Sequence, residues 1–254
     1  RSMSRNLIKA GHSVKVFDLS EEAMNFVVQS GAKAAKSVKE AASGVEFVIS
    51  MLPVGVNVKE VFMNDGVIAA ADTGTVMIDS STIDVETAQA AYAAAKAAGF
   101  DMIDAPVSGG VTGADAGTLT FMCGGDKNTF EKAKPILQCM GKNIIHCGNA
   151  GLGQVTKICN NMLAGITSLA ASAAMVMGER VGVSRQTLYD VISTSTGRSY
   201  IFENSNPMSG VCANSPANND FKPGFMAKLM LKDLRLSQAA AQSASTSTPL
   251  GAVA

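Results

Sequence analysis

Several residue types are scarce in this chain of 254 residues, and each scarcity argues against a class of function. Trp is absent and there are only three Tyr, so platforms for stacking nucleic-acid bases are not expected. Lys and Arg together number 21, as do Asp and Glu, which leaves no basic field to hold nucleic acid. The two histidines, His12 and His146, are too few for a tetrahedral histidine-based metal site. We therefore expect neither a nucleic-acid partner nor a bound metal.

The five cysteines form no CxxC pair. Their odd number and scattered positions indicate reduced thiols in a reducing compartment. We expect each of them to be a small buried hydrophobic residue. They are Cys123, Cys139, Cys147, Cys159 and Cys212.

Long hydrophobic runs are also few. The most apolar stretch, Met162–Met177, is short for a bilayer span and is interrupted by Gly165, Thr167 and Ser168. We expect it to be a buried helix and predict no membrane partner. No signal peptide is visible, and the chain begins in a helical pattern, so any targeting segment is expected to have been lost.

What the sequence does contain is a regular alternation of apolar strands and helices, which indicates a doubly wound α/β sheet with right-handed crossovers. Near residue 150 the pattern changes to helix alone, starting with a long helix from about 154 to 181. We predict a dinucleotide-binding domain over 1–150 and a helical substrate and dimerisation domain over 151–254. The predicted strands are Val14–Phe17, Val45–Leu52, Thr75–Asp79, Phe100–Val107, Thr118–Cys123 and Asn143–His146; helices are predicted at Ser4–Ala10, Val58–Met63, Val85–Ala98 and Lys127–Met140.

Two segments carry most of the chemical information. Asp104-Ala-Pro-Val-Ser-Gly-Gly110 is interpreted as a strand that runs into a loop rich in exposed backbone N–H groups, which can hold a carboxylate. Gly151-Leu-Gly-Gln-Val-Thr-Lys-Ile-Cys-Asn-Asn161 is interpreted as the start of a helix on which Lys157 and Asn161 share a face. A surface lysine is the common alternative, but the asparagines and the apolar continuation argue against a solvated face.

These segments resemble the substrate loop and catalytic helix of the β-hydroxyacid dehydrogenase family. Four further motifs match in sequence order, and the resemblance runs from Arg1 to about Ala254. They are Met51-Leu-Pro53, Asp79-Ser-Ser-Thr82, Ala217-Asn-Asn219 and Lys232-Asp233. The resemblance implies a Rossmann-type sheet followed by an all-α domain, joined by a long interdomain helix.

The family's GxGxxG turn directly precedes a helix of the Arg1–Ala10 type, and its C-terminus continues through further helices. We therefore expect a fragment that lacks both ends and, without the phosphate loop, binds NAD poorly.

The expected cofactor is NAD. Asp18 ends a strand where a carboxylate can accept hydrogen bonds from ribose hydroxyls and repel a 2′-phosphate; an ordinary turn aspartate is the alternative. Leu52 and Pro53 end a strand whose crevice can hold the cofactor. Asn57 follows, either as a cofactor contact or as a polar residue that starts a helix. Thr82 matches the family's binding threonine, although the same residues can serve as helix caps.

Later in the chain, the resemblance places Lys232 beside the nicotinamide, after Phe225. A surface pair of Lys232 and Asp233 is the alternative, in which Asp233 orients the lysine or caps a helix.

The resemblance also implies the substrate residues and the reaction. Ser108, Gly109 and Gly110 hold the carboxylate of a small hydroxy acid. Lys157, whose charged form burial or a neighbouring positive nicotinamide would disfavour, is the acid/base. Asn161 fixes the alcohol oxygen.

The reaction expected is oxidation of 3-hydroxyisobutyrate to methylmalonate semialdehyde, a step of valine breakdown. Reduction of tartronate or succinate semialdehyde, or a non-catalytic scaffold, remain alternatives. A homodimer or homotetramer is expected, in the mitochondrial matrix of a eukaryote or the cytoplasm of a bacterium.

Overall fold

The computed structural model describes residues 1–63, 66–213, 215–222 and 224–254. The chain divides into two compact units, Arg1–Lys157 and Ile158–Ala254. The second unit begins at Ile158, inside a helix. The domain boundary that the sequence suggests near residue 150 stays a prediction.

The N-terminal unit alternates strands and helices, as the sequence predicts. Its strands are β1 (Lys15–Val16), β2 (Lys33–Ala34), β3 (Phe47–Ser50), β4 (Val76–Asp79), β5 (Asp101–Asp104), β6 (Val107–Ser108), β7 (Leu119–Gly124) and β8 (Gly141–Gly148). Its helices are α1 (Ser2–Lys9), α2 (Glu21–Val28), α3 (Val38–Ala42), α4 (Gly55–Phe62), α5 (Val67–Ala70), α6 (Val85–Ala97), α7 (Gly110–Ala116) and α8 (Lys127–Gln138). A ninth helix, α9 (Leu152–Val181), begins in this unit.

Six of the strands form one sheet in the order β3-β4-β5-β7-β6, with β8 paired to β7. The pairs β3–β4, β4–β5 and β7–β8 are parallel, whereas β7 runs antiparallel to β5 and β6. Strands β1 and β2 form a separate parallel pair. The predicted Rossmann-type α/β class is confirmed, with two antiparallel pairings, both made by β7, that the alternation does not reveal.

Both faces of the sheet are covered, which explains the continuous apolar character of its central strands. All four residues of β4 are buried. Met77 packs into a cluster with Phe62 and Met102 on one side. Its neighbour Ile78 belongs to a second cluster with Ile103 on the other side, as the alternation of side chains along a strand requires.

The strand predicted over Phe100–Val107 is wrong in its extent, because it is divided into β5 and β6. Pro106 lies between them and has no N–H to donate to a ladder. Its carbonyl oxygen accepts from the backbone N–H of Met122 instead. The chain therefore turns after β5 and pairs β6 antiparallel to β7.

The glycine-rich segment after Ser108 is a second correction, because a short helix stands where the sequence indicates a loop. Gly109 (φ 132°) precedes α7 and Gly117 (φ 68°, left-handed) ends it. Glycine content argues against helix in sequence reasoning. Three glycines with positive φ, Gly109, Gly110 and Gly117, lie at the two ends of this helix, where that conformation is useful. The short elements β2, α3 and α5 were also not predicted.

In the described residues of the C-terminal unit, the regular elements are all helices. After α9 come α10 (Arg185–Ser193), α11 (Tyr200–Asn204), a 3-10 turn (Pro216–Asn219), α12 (Ala227–Ser243) and α13 (Pro249–Val253). Ala171, Met175 and Phe202 form its buried cluster. This agrees with the predicted all-α domain.

The apolar stretch in α9 is not the buried helix that the sequence suggests. Leu163 is 62% exposed and Met177 is 66% exposed. By length and composition, α9 is also long and apolar enough to cross a membrane, and 28% of its apolar 18-residue segment is buried. Core helices of water-soluble proteins share these properties. Cysteine burial is likewise not uniform: Cys123 and Cys212 are buried, whereas Cys159 is exposed.

We predict that Gly153→Ala lowers the free energy of unfolding by about 1–3 kcal/mol through overpacking. A Cβ at this position in α9 would overlap the carbonyl oxygen of Met122 and lie 2.6 Å from Asp104 Oδ2. Gly113→Ala is the matched control, because its Cβ would meet Leu119 Cδ2 at 3.5 Å and Thr118 Oγ1 at 3.8 Å, both ordinary contacts. Urea denaturation of both variants tests the difference; equal stabilities would contradict the close approach of α9 to the sheet.

Candidate active site

In the N-terminal unit, most of the predicted cofactor residues lie where parallel strands end. Leu52 follows β3, and its N–H donates to Ser81 Oγ at 2.8 Å. Pro53 is exposed and directly precedes the turn into α4. Asn57 lies in the first turn of α4, where its Nδ2 donates to Glu60 Oε2 at 3.3 Å. The crevice beyond the carboxyl ends of the strands is where open α/β sheets bind ligands.

Thr82 is half-buried in the loop between β4 and α6. The cap of α6 is Asp84, whose side chain accepts from the N–H of Thr87. Asp84 therefore caps this helix, and the cofactor contact assigned to Thr82 stays a prediction.

Asp18 lies two residues after β1 and is exposed. Its Oδ1 accepts from the N–H of Ser20 at 2.8 Å, and Ser20 in turn caps α2. Asp18 therefore stabilises a turn, which is the alternative role that the sequence leaves open. It engages one carboxylate oxygen and is compatible with a ribose contact through the other.

The three residues predicted to hold a carboxylate are consecutive at the junction of β6 and α7. Ser108 ends β6, and Gly109 and Gly110 are exposed at the helix start. The N–H of Gly113 donates to Gly109 O at 2.9 Å. Because this is the first bond of the α-helical pattern, the N–H groups before it have no partner within the helix. A carboxylate-binding role is consistent with that geometry.

Lys157 is 8% exposed and lies in the second turn of α9. That burial contradicts the alternative of a surface lysine. The acid/base role predicted for this lysine stays a prediction.

The start of α9 is attached to the end of β5 by Asp104, a residue to which the sequence reasoning gave no role. Its Oδ1 accepts from Gly151 N at 2.7 Å and its Oδ2 from Gln154 N at 2.9 Å. The carboxyl is buried, 4% exposed. Desolvation, with a smaller contribution from the charge of Asp79, raises the pKa of Asp104 to about 6, although these two hydrogen bonds lower it. In the sequence, the signal for this role of Asp104 is its position as a carboxylate at the end of a buried strand.

Asp79 is a second buried carboxyl at the same edge. Its Oδ1 accepts from the hydroxyls of Ser50 (2.7 Å) and Ser81 (2.5 Å), and burial raises its pKa. Within the described part of the chain, Asp79 Oδ2 and Ser80 Oγ are buried without a hydrogen-bond partner. Orphaned polar atoms at the carboxyl edge of the sheet fit a site whose polar groups are completed by a bound dinucleotide.

The C-terminal unit contributes a separate cluster around Asp233. Asn161 Nδ2 donates to Asp233 Oδ2 at 2.5 Å, and Lys232 Nζ lies 3.2 Å from Asp233 Oδ1. The Asp233 side chain is 3% exposed, so Lys232 and Asp233 do not form the surface pair considered as the alternative. Asn161 Oδ1 accepts from Asn160 Nδ2 at 3.0 Å. Phe225 lies just before α12 and is 49% exposed.

Two family models and several curated relatives match this chain. Residues 1–148 match the family model of the NAD-binding domain of 6-phosphogluconate dehydrogenase, and residues 151–254 match the NAD-binding model of NADP-dependent 3-hydroxyisobutyrate dehydrogenase. An NAD-dependent L-serine dehydrogenase of Pseudomonas aeruginosa is 45% identical over 253 residues. A 3-hydroxyisobutyrate dehydrogenase of that organism is 46% identical over 253 residues. Each alignment covers 99% of this chain and 85% of the relative.

A solved structure gives the same result. Mycobacterium tuberculosis 3-hydroxyisobutyrate dehydrogenase with L-serine has a TM-score of 0.93 and 44% identity, covering 99% of this chain and 86% of that one. The chain belongs to the β-hydroxyacid dehydrogenase family of oxidoreductases, and its cofactor is NAD. The family resemblance noted from the motifs is thereby confirmed.

We predict that Asp104 makes stability fall as the pH rises from about 4 to about 6. Its pKa is about 6 when folded, against a usual value of 3.8, so the folded state binds this proton more tightly in that window. The difference corresponds to about 3 kcal/mol. The free energy of unfolding of the wild type relative to Asp104→Asn should therefore decline across this range, as measured by urea denaturation at several pH values.

The control is Asp84→Asn, at a half-exposed helix cap. A wild-type minus Asp104→Asn difference that is flat from pH 4 to pH 6.5, or that rises, would contradict the assignment.

Proposed function

We propose that the chain catalyses the NAD-dependent oxidation of 3-hydroxyisobutyrate to methylmalonate semialdehyde, with Lys157 as the acid/base. The observation that carries the proposal is the buried lysine, 8% exposed, on a helix whose first turn is bonded to Asp104. Asp104 itself begins the segment that ends in Ser108, Gly109 and Gly110. One strand end thus supports both the proposed acid/base and the proposed carboxylate site.

The proposed roles follow from the chemistry of an alcohol beside a carboxylate. The hydroxyl of Ser108 and the N–H groups of Gly109 and Gly110 bind the carboxylate. The neutral amine of Lys157 takes the hydroxyl proton as the carbonyl forms, and returns it in the reverse direction. When bound, NAD⁺ supplies the hydride acceptor.

Asn161 is assigned to the alcohol oxygen. One of its N–H groups donates to Asp233, so the second is the one available for the substrate. Asp233 also pairs with Lys232, which supports the assignment of Lys232 to the nicotinamide side and Phe225 to the same region. Asp18, Leu52, Pro53, Asn57 and Thr82 are assigned to the rest of the cofactor.

L-Serine is the second candidate substrate, because one relative is a serine dehydrogenase and a solved relative contains L-serine. The two compounds share a carboxylate and a primary alcohol on the β-carbon. They differ only at the α-carbon, which carries a methyl group in one and an ammonium group in the other. The proposed machinery acts on the shared groups and serves both.

Two further proposals concern assembly and location. Exposed apolar residues of α9 such as Leu163 and Met177 favour self-association, in support of a homodimer or homotetramer.

Relatives include bacterial proteins and mitochondrial proteins, so we assign the enzyme to the cytoplasm of a bacterium or the mitochondrial matrix of a eukaryote. The proposed oxidation of 3-hydroxyisobutyrate would be a step in the breakdown of valine.

We predict that Lys157→Met abolishes turnover and leaves the fold and NADH binding intact. Methionine fills a similar volume but cannot accept the alcohol proton, so kcat should fall by at least about 100-fold. Initial rates, circular dichroism and NADH fluorescence titration measure the three properties. Lys142→Met, at an exposed position of β8, is the control and should retain full activity.

Substantial turnover in Lys157→Met would remove the lysine from the proposed mechanism. A native function that survives the loss of turnover would instead support the non-catalytic scaffold.

We also predict the order of substrate preference. Initial rates of the full-length protein with NAD⁺ or NADP⁺ should give the highest kcat/KM for NAD⁺ with 3-hydroxyisobutyrate, because Asp18 repels a 2′-phosphate. L-Serine, glycerate and 4-hydroxybutyrate are the comparison substrates. A preference for serine would keep the mechanism and change the substrate, and a preference for glycerate or 4-hydroxybutyrate would favour the tartronate or succinate semialdehyde reductases. Turnover with none of them would contradict the enzyme assignment.

A further inference from the structure

The side chain of Gln154 joins two parts of the N-terminal unit to which the proposed function gives different tasks. It is fully buried, with 0% exposure. Its Oε1 accepts from the N–H of Ile83 at 3.1 Å, and its Nε2 donates to the carbonyl oxygen of Ser81 at 2.8 Å. Between these two backbone groups lies Thr82, the proposed cofactor contact. One amide therefore holds the chain on both sides of Thr82.

The orientation of this amide is fixed by its partners. A backbone N–H can only donate and a carbonyl oxygen can only accept. The Gln154 oxygen must therefore face Ile83, and its nitrogen must face Ser81. A rotated amide would place donor against donor and acceptor against acceptor in a buried site, which is strongly unfavourable.

The backbone of Gln154 is held as firmly as its side chain. Its own N–H donates to Asp104 Oδ2 at 2.9 Å, in the first turn of α9. Lys157 follows three residues later, less than one turn along the same helix. A displacement of Gln154 therefore moves the helix turn that carries Lys157, the loop that carries Thr82, or both.

We propose that Gln154 is a positioning residue, which fixes Lys157 relative to the cofactor-contacting loop around Thr82. This inference rests on the proposed function. Proton transfer to the lysine and hydride transfer to the cofactor occur on the same alcohol, so their two supports must be held in a constant geometry. Gln154 provides that constraint with one side chain and does not itself touch the reacting atoms.

The test is Gln154→Met, which keeps the length and volume of the side chain and removes both hydrogen bonds. The full-length protein is assayed with NAD⁺ and the preferred hydroxy acid, with kcat expressed per NADH-binding site from fluorescence titration. We expect kcat per site to fall about 10- to 100-fold, the effect of misplacing reacting groups by about 1 Å. The dissociation constant for NADH should change less than threefold.

A deuterium label on the oxidised carbon provides a readout that a purely structural role does not move. If hydride transfer becomes slower through misalignment, the isotope effect on kcat rises toward its full value or remains there. A variant that merely unfolds in part loses binding sites and keeps the wild-type kcat per site. Gln154→Glu keeps the acceptor for Ile83, but an ionised carboxylate places a second acceptor against the carbonyl oxygen of Ser81, so its kcat per site should be at least as low as that of the methionine variant. Protonation of the carboxyl at lower pH restores a donor to Ser81 and should recover part of kcat relative to the wild type at the same pH. This variant also serves if the methionine variant does not fold.

Gln89→Met is the matched control. Gln89 also bonds backbone near the start of α9, from its Nε2 to Ala150 O at 3.4 Å, but it is exposed and does not span Thr82. Its kcat should remain within twofold of the wild type. A kcat per site and an isotope effect at wild-type values in both Gln154 variants would overturn the inference. If Lys157→Met keeps its activity, the proposed function fails instead, and the roles assigned here fail with it.

Discussion

The carboxylate of Asp104 is the group on which the rest of the proposed site depends. It ends β5 and accepts the backbone N–H groups of Gly151 and Gln154, so it joins the central sheet to the first turn of α9. The N-terminus of a helix has unsatisfied donors and a partial positive charge, which favour a carboxylate there. Burial opposes the charge and holds its pKa near 6. Desolvation therefore disfavours the charged form of Asp104, while its hydrogen bonds to the start of α9 favour that form.

That contact needs space, and glycine provides it on both sides. A Cβ at Gly124 would lie 2.5 Å from Asp104 Oδ1, and one at Gly153 would lie 2.6 Å from Asp104 Oδ2. From Asp104 the polar groups continue through Gln154 to Ser81 and on to Asp79. Buried polar networks with most members satisfied contribute rigidity and a unique arrangement more than net stability. At the proposed site, where a cofactor would be aligned with a proton acceptor, rigidity is the more useful property.

The sequence predicted the order of elements well, because strands buried on both faces are continuously apolar and helices between them are punctuated by caps and glycines. It also located the buried lysine, from its apolar surroundings and from motif order. It did not predict the break at Pro106 or the helix α7, since glycine signals loop and helix end alike. The functions of Asp104 and Gln154 were missed because their bonds join residues 47 to 73 positions apart, beyond any local pattern.

The same logic explains why relatives with two different substrate names are equally similar to this chain, at 45% and 46% identity. The groups proposed above to bind and react would act on a carboxylate and a β-hydroxyl, which 3-hydroxyisobutyrate and serine share. An enzyme can discriminate between these two substrates only through the group on the α-carbon. A methyl group needs only apolar contact, worth about 1–3 kcal/mol of discrimination. An ammonium needs acceptor oxygens, because a buried charge without a partner is far more unfavourable. A site shaped for one substituent therefore disfavours the other through a few side chains, while the machinery built on Asp104 stays the same.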